Sequence, residues 1–226
     1  MEVTVTKLTG VELLQRANSF TSGKESHMDL AKAYRYGHSP IRTQLFWVEL
    51  HQIPLFLAGH LVRHNVGVVM FQRSMRTDRN QAKAPFTDVC KELASRMDYA
   101  LELITNRKRQ EGLNQLDGLA NAIADLPTEY DRMQPTDLAF ICNAECLMSM
   151  AHKRLCGMAS AETRKVMQAI VGEVNQCDPD LAKHLVPQCV YRGGICPEPK
   201  GCGYITSRLG SSLLLCYKSL YSNGGQ

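Results

Sequence analysis

The stretch Gln44-Leu-Phe-Trp-Val-Glu-Leu50, followed by Pro54 to His64 and then Val68-Val-Met-Phe71, decides how this chain is read. Leu45, Trp47 and Glu49 fall on one face of an alternating segment, and Phe46, Val48 and Leu50 on the other. That period of two is the period of a strand. Pro54 suits a first helical turn, so a helix is expected from Pro54 to His64, ending near Gly67. Val68 to Phe71 is β-branched and aromatic, which predicts a second short strand.

Upstream, Val3-Thr-Val-Thr6 alternates and predicts another strand. Short helices are expected at about Gly10 to Asn18 and Met28 to Tyr34, the latter broken by Gly37-His38-Ser39-Pro40. Downstream, helices are expected at Phe86 to Ile104, at Asn114 to Ala124 with Pro127 as its stop, at Asp137 to Cys156 and at Ala161 to Asn175. Strands early and helices later give a mixed α/β (α+β) class. Residues 1–186 read as one domain. Residues 187–226 read as a Gly-, Pro- and Cys-rich extension, whose turn residues up to Gly203 exclude a long helix or a strand ladder there.

The 226 residues are 44% hydrophobic and 21% charged, enough apolar surface to exclude disorder and to build a core without disulfides. The net charge of +4 suits an anionic ligand but is too mild to indicate nucleic acid, and an aromatic content of 7% argues against a base-stacking platform. No apolar run approaches the ~20 residues of a membrane span. No signal-peptide pattern is visible, so a cytoplasmic protein with nine reduced cysteines is expected. Six of them, Cys90, Cys142, Cys146, Cys156, Cys177 and Cys216, read as small core hydrophobes. No P-loop, dinucleotide fingerprint or G-x-S-x-G elbow is present.

Three groups of residues carry chemical possibilities. Arg63-His64, with Gln72-Arg73-Ser74-Met75-Arg76-Thr77-Asp78-Arg79, gathers guanidinium forks and hydroxyls suited to a phosphate. Ser74 and Arg76 share a face if that segment is extended. A solvated basic loop is the competing reading. Asn143 and Arg154, eleven residues apart, return to one helical stripe with Leu147 and Met150 between them, and could clamp a ligand ~16 Å long. A core helix with polar ends is the alternative. Cys189, Cys196 and Cys202 suggest zinc, but their spacings of seven and six contain no C-x-x-C, and His184 is the nearest further ligand. Reduced thiols in an ordered loop, with no metal, is the favoured expectation there.

Taken in order, these pieces resemble the flavin-dependent thymidylate synthase family. Its signature is Arg-His-Arg, two residues, Ser, one residue, Asn-Glu, one residue, Ser, one residue, Arg. Arg63-His64 is similar to its start, and Gln72-Arg73-Ser74-Met75-Arg76 to its end, with one residue inserted between. Gly37-His38-Ser39-Pro40 resembles the family's Gly-His segment. Asn143-Ala144-Glu145-Cys146-Leu147, with Arg154 beyond, resembles its Asn-Ala-Arg-x-Leu helix, and Ala159 to Arg164 its Ala-Gln-x-Glu-Ile-Arg. The chain departs at Asn65 (family Arg), at Phe71-Gln72 (family Asn-Glu) and at Glu145 (family Arg).

The resemblance implies an antiparallel-containing sheet with long helices, and a homotetramer with active sites built across subunits. It implies reductive methylation of dUMP to dTMP using FAD, NADPH and methylenetetrahydrofolate, without a cysteine nucleophile. It assigns dUMP to Gln72, Ser74, Arg76 and Arg154, with Ser74, Gln72 and Arg154 as the catalytic group. It assigns FAD to His38, Ser39, Arg63, His64, Asn65, Asn143 and Ser149. The alternatives are a related pyrimidine-nucleotide hydroxymethylase, a degenerate non-catalytic relative, and a zinc-stabilised nucleic-acid-binding protein.

Overall fold

The computed structural model describes residues 1–74 and 86–222. By contact they fall into two units, one of residues 1–52, 57–72 and 137–226 and one of residues 53–56 and 73–136.

The first unit is organised by an antiparallel-containing sheet of order β1-β2-β4-β3, built from β1 (Glu2–Lys7), β2 (Leu45–Pro54), β3 (Val68–Gln72) and β4 (Pro135–Asn143). β1 runs antiparallel to β2, with Val5 opposite Val48, and β3 antiparallel to β4, with Met70 opposite Phe140. Phe46, Val48 and Leu50 are fully buried, as their alternation predicts. Pro54 closes β2 instead of opening the helix, and α3 begins one residue later (Leu55–Leu61).

The region 137–156 corrects the expected single helix. Its first part is strand β4, and only Ala144–Arg154 is helical (α6). Thr136, Leu138, Phe140 and Cys142 turn to the buried face, and the residues between them are half-buried. A central strand covered on both faces carries a continuous apolar run, which periodicity alone does not separate from a buried helix. Asn143 makes the switch: its backbone is extended and its side-chain Oδ1 accepts the Cys146 N–H, capping α6.

Around the sheet lie α1 (Val11–Ser22), α2 (Leu30–Tyr36), a 3-10 turn (Ser39–Thr43) and α7 (Ala161–Cys177), which packs on β1. The core joins Leu14, Phe46, Phe140, Leu147, Met150, Met167, Ile170 and Val174, all fully buried. Each large apolar side chain removed from water contributes about 1.5–3 kcal/mol.

Residues 187–222 also lie in this unit. After α8 (Pro179–Ala182) come α9 (Gln188–Tyr191), a 3-10 turn (Tyr204–Thr206) and α10 (Arg208–Ser222). The expectation of no long helix up to Gly203 is met by short turns, but α10 was not foreseen. Gly210 permits it, since a Cβ there would stand 2.0 Å from the Tyr204 carbonyl oxygen. Val186, Cys189, Val190 and Tyr217 form a small core of their own.

The second unit is dominated by two long helices that pack on each other, α4 (Phe86–Thr105) and α5 (Arg109–Met133). α5 runs through Pro127, which was expected to stop it. One lost backbone hydrogen bond costs about 3 kcal/mol, which a 25-residue helix can carry.

Candidate functional site

Helix α6 is the axis of the site. The strand-to-helix switch fixes Asn143 at one end, and Arg154 ends the helix at the other. Between them Leu147 and Met150 are fully buried, so this stripe is seated in the core and its polar ends hold fixed positions. Both ends reach the same segment of chain. At the first, the Asn143 N–H donates to the Gly67 carbonyl at 3.0 Å. At the second, the Arg154 guanidinium donates to the His60 carbonyl at 2.5 Å and to His64 Nε2 at 3.1 Å. Residues 60–67 are thereby strapped along α6. Gly67 sits at φ 72°, and a Cβ on it would lie 2.6 Å from the Asn143 amide nitrogen.

His64 accepts through Nε2, which leaves the proton of a neutral ring on Nδ1. Burial, then the charges of Arg154 and Lys153, push its pKa down to about 4, so the ring is neutral at pH 7. Burial and the nearby Arg63 lower the Arg154 pKa, and the guanidinium stays charged. The strap and the end of α6 together present two guanidinium groups, Arg63 and Arg154, and an uncharged imidazole donor, a set suited to an anionic, hydrogen-bonding ligand.

His38, Ser39, Arg63, Asn65, Gln72 and Ser149 are all exposed. His38 opens the 3-10 turn and stacks on Tyr36 at 6.0 Å. Gln72 ends β3 opposite Leu138. Ser149 lines a cleft of about 920 Å³ with Tyr34, Gly37, His152, His184 and Tyr221. Ser74 is half-buried and belongs to the second unit. Arg76 lies outside the described residues. The structure thus brings Arg63, His64, Asn143 and Arg154 together on the strap and α6. Asn65 stands exposed on the strap itself, and His38, Ser39, Gln72 and Ser149 are exposed on other segments.

Sequence reasoning missed three partners. His60 holds Arg154 through its backbone, which leaves no side-chain signal. His152, on α6, is half-buried and stacks on Tyr191 at 4.2 Å, and its Nε2 has no hydrogen-bond partner. Arg42 forks onto Glu145 at 2.7 and 3.2 Å, so the position where charge is reversed is answered by a guanidinium from another element. Of the cysteines expected in the core, Cys142 and Cys146 are buried, Cys156 and Cys177 are half-buried, and Cys216 is exposed. The side chain of Cys90 lies outside those described. Burial pushes the Cys146 thiol up to about 11 and the Cys142 thiol higher, so neither is an activated nucleophile.

An antiparallel-containing sheet that fixes a donor-tipped helix against a strap bearing Arg63 and His64 defines the class: a mixed α/β protein with cationic, hydrogen-bonding groups gathered at the end of α6. The sequence model of the family described as thymidylate synthase complementing protein matches residues 12–180, and the chain belongs to that family. A flavin-dependent thymidylate synthase from Clostridium tetani (strain Massachusetts / E88) is 26% identical over 178 residues, 72% of this chain and 71% of its own. Two crystal structures of the flavin-dependent thymidylate synthase ThyX of Helicobacter pylori, both with FAD and dUMP, share the fold. The first matches at a TM-score of 0.53 and 13% identity, covering 82% of this chain and all of its own. The second matches at 0.53 and 15%, covering 82% and 99%. Among the described residues no helix is long and apolar enough to cross a membrane.

Proposed function

We propose that this protein is a flavin-dependent thymidylate synthase that reductively methylates dUMP to dTMP. The observation that carries the reading is the pairing of a family match over residues 12–180 with a strap, Arg63-His64, tied to both ends of the Asn143–Arg154 helix. Bound FAD would supply the redox chemistry, with NADPH as the reductant and methylenetetrahydrofolate as the one-carbon donor to the pyrimidine. Its ligands are His38, Ser39, Arg63, His64, Asn65, Asn143 and Ser149. The donor chemistry fits: a guanidinium, amides, hydroxyls and a neutral imidazole suit a pyrophosphate and the polar edge of a ring system.

Arg154 orients the nucleotide, because its guanidinium is already fixed by His60 and His64 and needs little ordering on binding. By the family resemblance Gln72, Ser74 and Arg76 also bind dUMP, with Ser74 and Arg76 for the phosphate. The family arginine replaced by Glu145 is compensated by Arg42, which brings a guanidinium to the start of α6. The exposure of His38, Ser39, Arg63, Asn65 and Ser149 supports a homotetramer, in which neighbouring subunits cover them. The family match ends at residue 180, and residues 187–226 are an extension of this chain.

Titration of the purified protein with FAD and then dUMP tests the reading. Wild type is expected to bind both. Arg154→Ala is expected to weaken dUMP by about 1.5–3 kcal/mol, ten- to a hundredfold. Absence of flavin binding by wild type contradicts the proposal.

A further inference from the structure

The residues beyond the family match wall in a cleft that the matched segment only half encloses. One side of this space of about 920 Å³ is Tyr34 to Gly37 at the end of α2, with Glu145, Ser149 and His152 from α6. The other side is extension: Arg192 and Gly193 after α9, and Lys218 and Tyr221 from α10, with Tyr191 beside them. Glu145, Ser149 and His152 recur at steps of four and three, so they share one face of α6. Asn143 and Arg154 lie about half a turn round the helix from it, on the stripe that meets the strap.

The lining is aromatic with a positive balance. Tyr191 stacks on His152 at 4.2 Å and is otherwise exposed. The Arg35 guanidinium lies 5.6 Å from the Tyr221 ring centre and donates to the Tyr221 carbonyl at 2.6 Å, which ties α10 to α2. Among the described residues neither Arg192 nor Lys218 has an ion-pair partner. Glu145, the one carboxylate in the lining, is already matched by Arg42 at 2.7 Å. Gly37 and Gly193 have nothing within 4 Å of where a Cβ would stand, so a ligand can approach the backbone closely there.

We propose that this cleft holds the adenosine diphosphate end of FAD, and that Tyr191, Arg192, Lys218 and Tyr221 of the extension are ligands that complete it. The proposal rests on the flavin reading above, which places Ser149 against FAD. A tyrosine ring with an open face suits a planar base, and two cations without carboxylate partners suit a pyrophosphate. The helix decides which end of FAD lies here. Arg154, which orients the pyrimidine nucleotide, is on the far stripe of α6, so the part of FAD against Ser149 is the part remote from the reaction.

The test reads binding by the full chain, without turnover. FAD is titrated by the quenching of its fluorescence, and ADP by calorimetry on flavin-free protein. The Arg192→Ala, Lys218→Ala double variant is expected to weaken both by about tenfold or more, an effect that fades as salt is raised. Tyr191→Ala is expected to weaken both, and Tyr191→Phe, which keeps the ring, to bind as wild type does. Arg208→Ala, which removes an exposed cation of α10 outside the lining, is expected to change neither. FAD bound equally by wild type and the double variant overturns this inference and leaves the flavin reading standing. So does an ADP titration of wild type that shows no binding. Wild type that binds no FAD overturns both.

Discussion

Replacing Asp178 by alanine is expected to destabilise the first unit by about 3–4 kcal/mol, through groups that meet nowhere else. Its side chain is 1% exposed. One carboxylate oxygen accepts from Lys7 Nζ at 2.7 Å and from the Tyr34 hydroxyl at 2.7 Å, and the other accepts the Leu181 N–H at 3.1 Å. β1, α2 and the start of α8 therefore converge on one carboxylate. Loss of the cap costs about 1 kcal/mol. Loss of its acceptor leaves the Tyr34 hydroxyl buried and unpaired, about 1–3 kcal/mol. Lys7 keeps some access to water and adds less. At roughly 2–4 °C per kcal/mol for a chain this size, the melting temperature falls by about 6–16 °C. The diagnostic is a double-mutant cycle read by thermal denaturation. Tyr34→Phe is expected to be costly in wild type, where the hydroxyl donates. In Asp178→Ala it is expected to be neutral or stabilising, because it removes an orphaned donor. Equal cost in both backgrounds would refute the reasoning.

Acid sensitivity above the carboxylate range is a second expectation. Burial foremost depresses His64, His152 and His184 from 6.5 to about 4. The unfolded chain then takes up protons first, so this stability is present above about pH 6.5 and is lost as pH falls toward 4. At pH 5.5 each ring costs about 1.4 kcal/mol, and halving for residual water contact gives about 2 kcal/mol for the three. Denaturant midpoints that stay flat from pH 7.5 to 5.5 would contradict this. Gly67→Ala is expected to cost about 2 kcal/mol, from the left-handed backbone and the displaced Asn143 cap, and to weaken FAD binding. An unchanged melting temperature and flavin titration would show that Asn143 does not depend on Gly67.

Strands β1, β2 and β3 were legible because their chemistry is local. β1 and β2 alternate, and Val68–Gln72 is β-branched and aromatic. β4 was not, because Leu138 to Cys142 is apolar throughout, and only its place in the middle of the sheet explains that. The Asn143-to-Arg154 spacing was legible as one helical stripe. That both ends seize residues 60–67 was not, since the His60 and Gly67 contacts run through backbone atoms of the strap.

The central claim is tested most directly by the mass of the nucleotide product. The purified protein is incubated with dUMP, methylenetetrahydrofolate, NADPH and FAD, and the pyrimidine nucleotide is analysed by mass spectrometry. The account predicts dTMP, formed only when FAD and NADPH are both present. Unchanged dUMP, a hydroxymethylated nucleotide, or dTMP formed without flavin would contradict it.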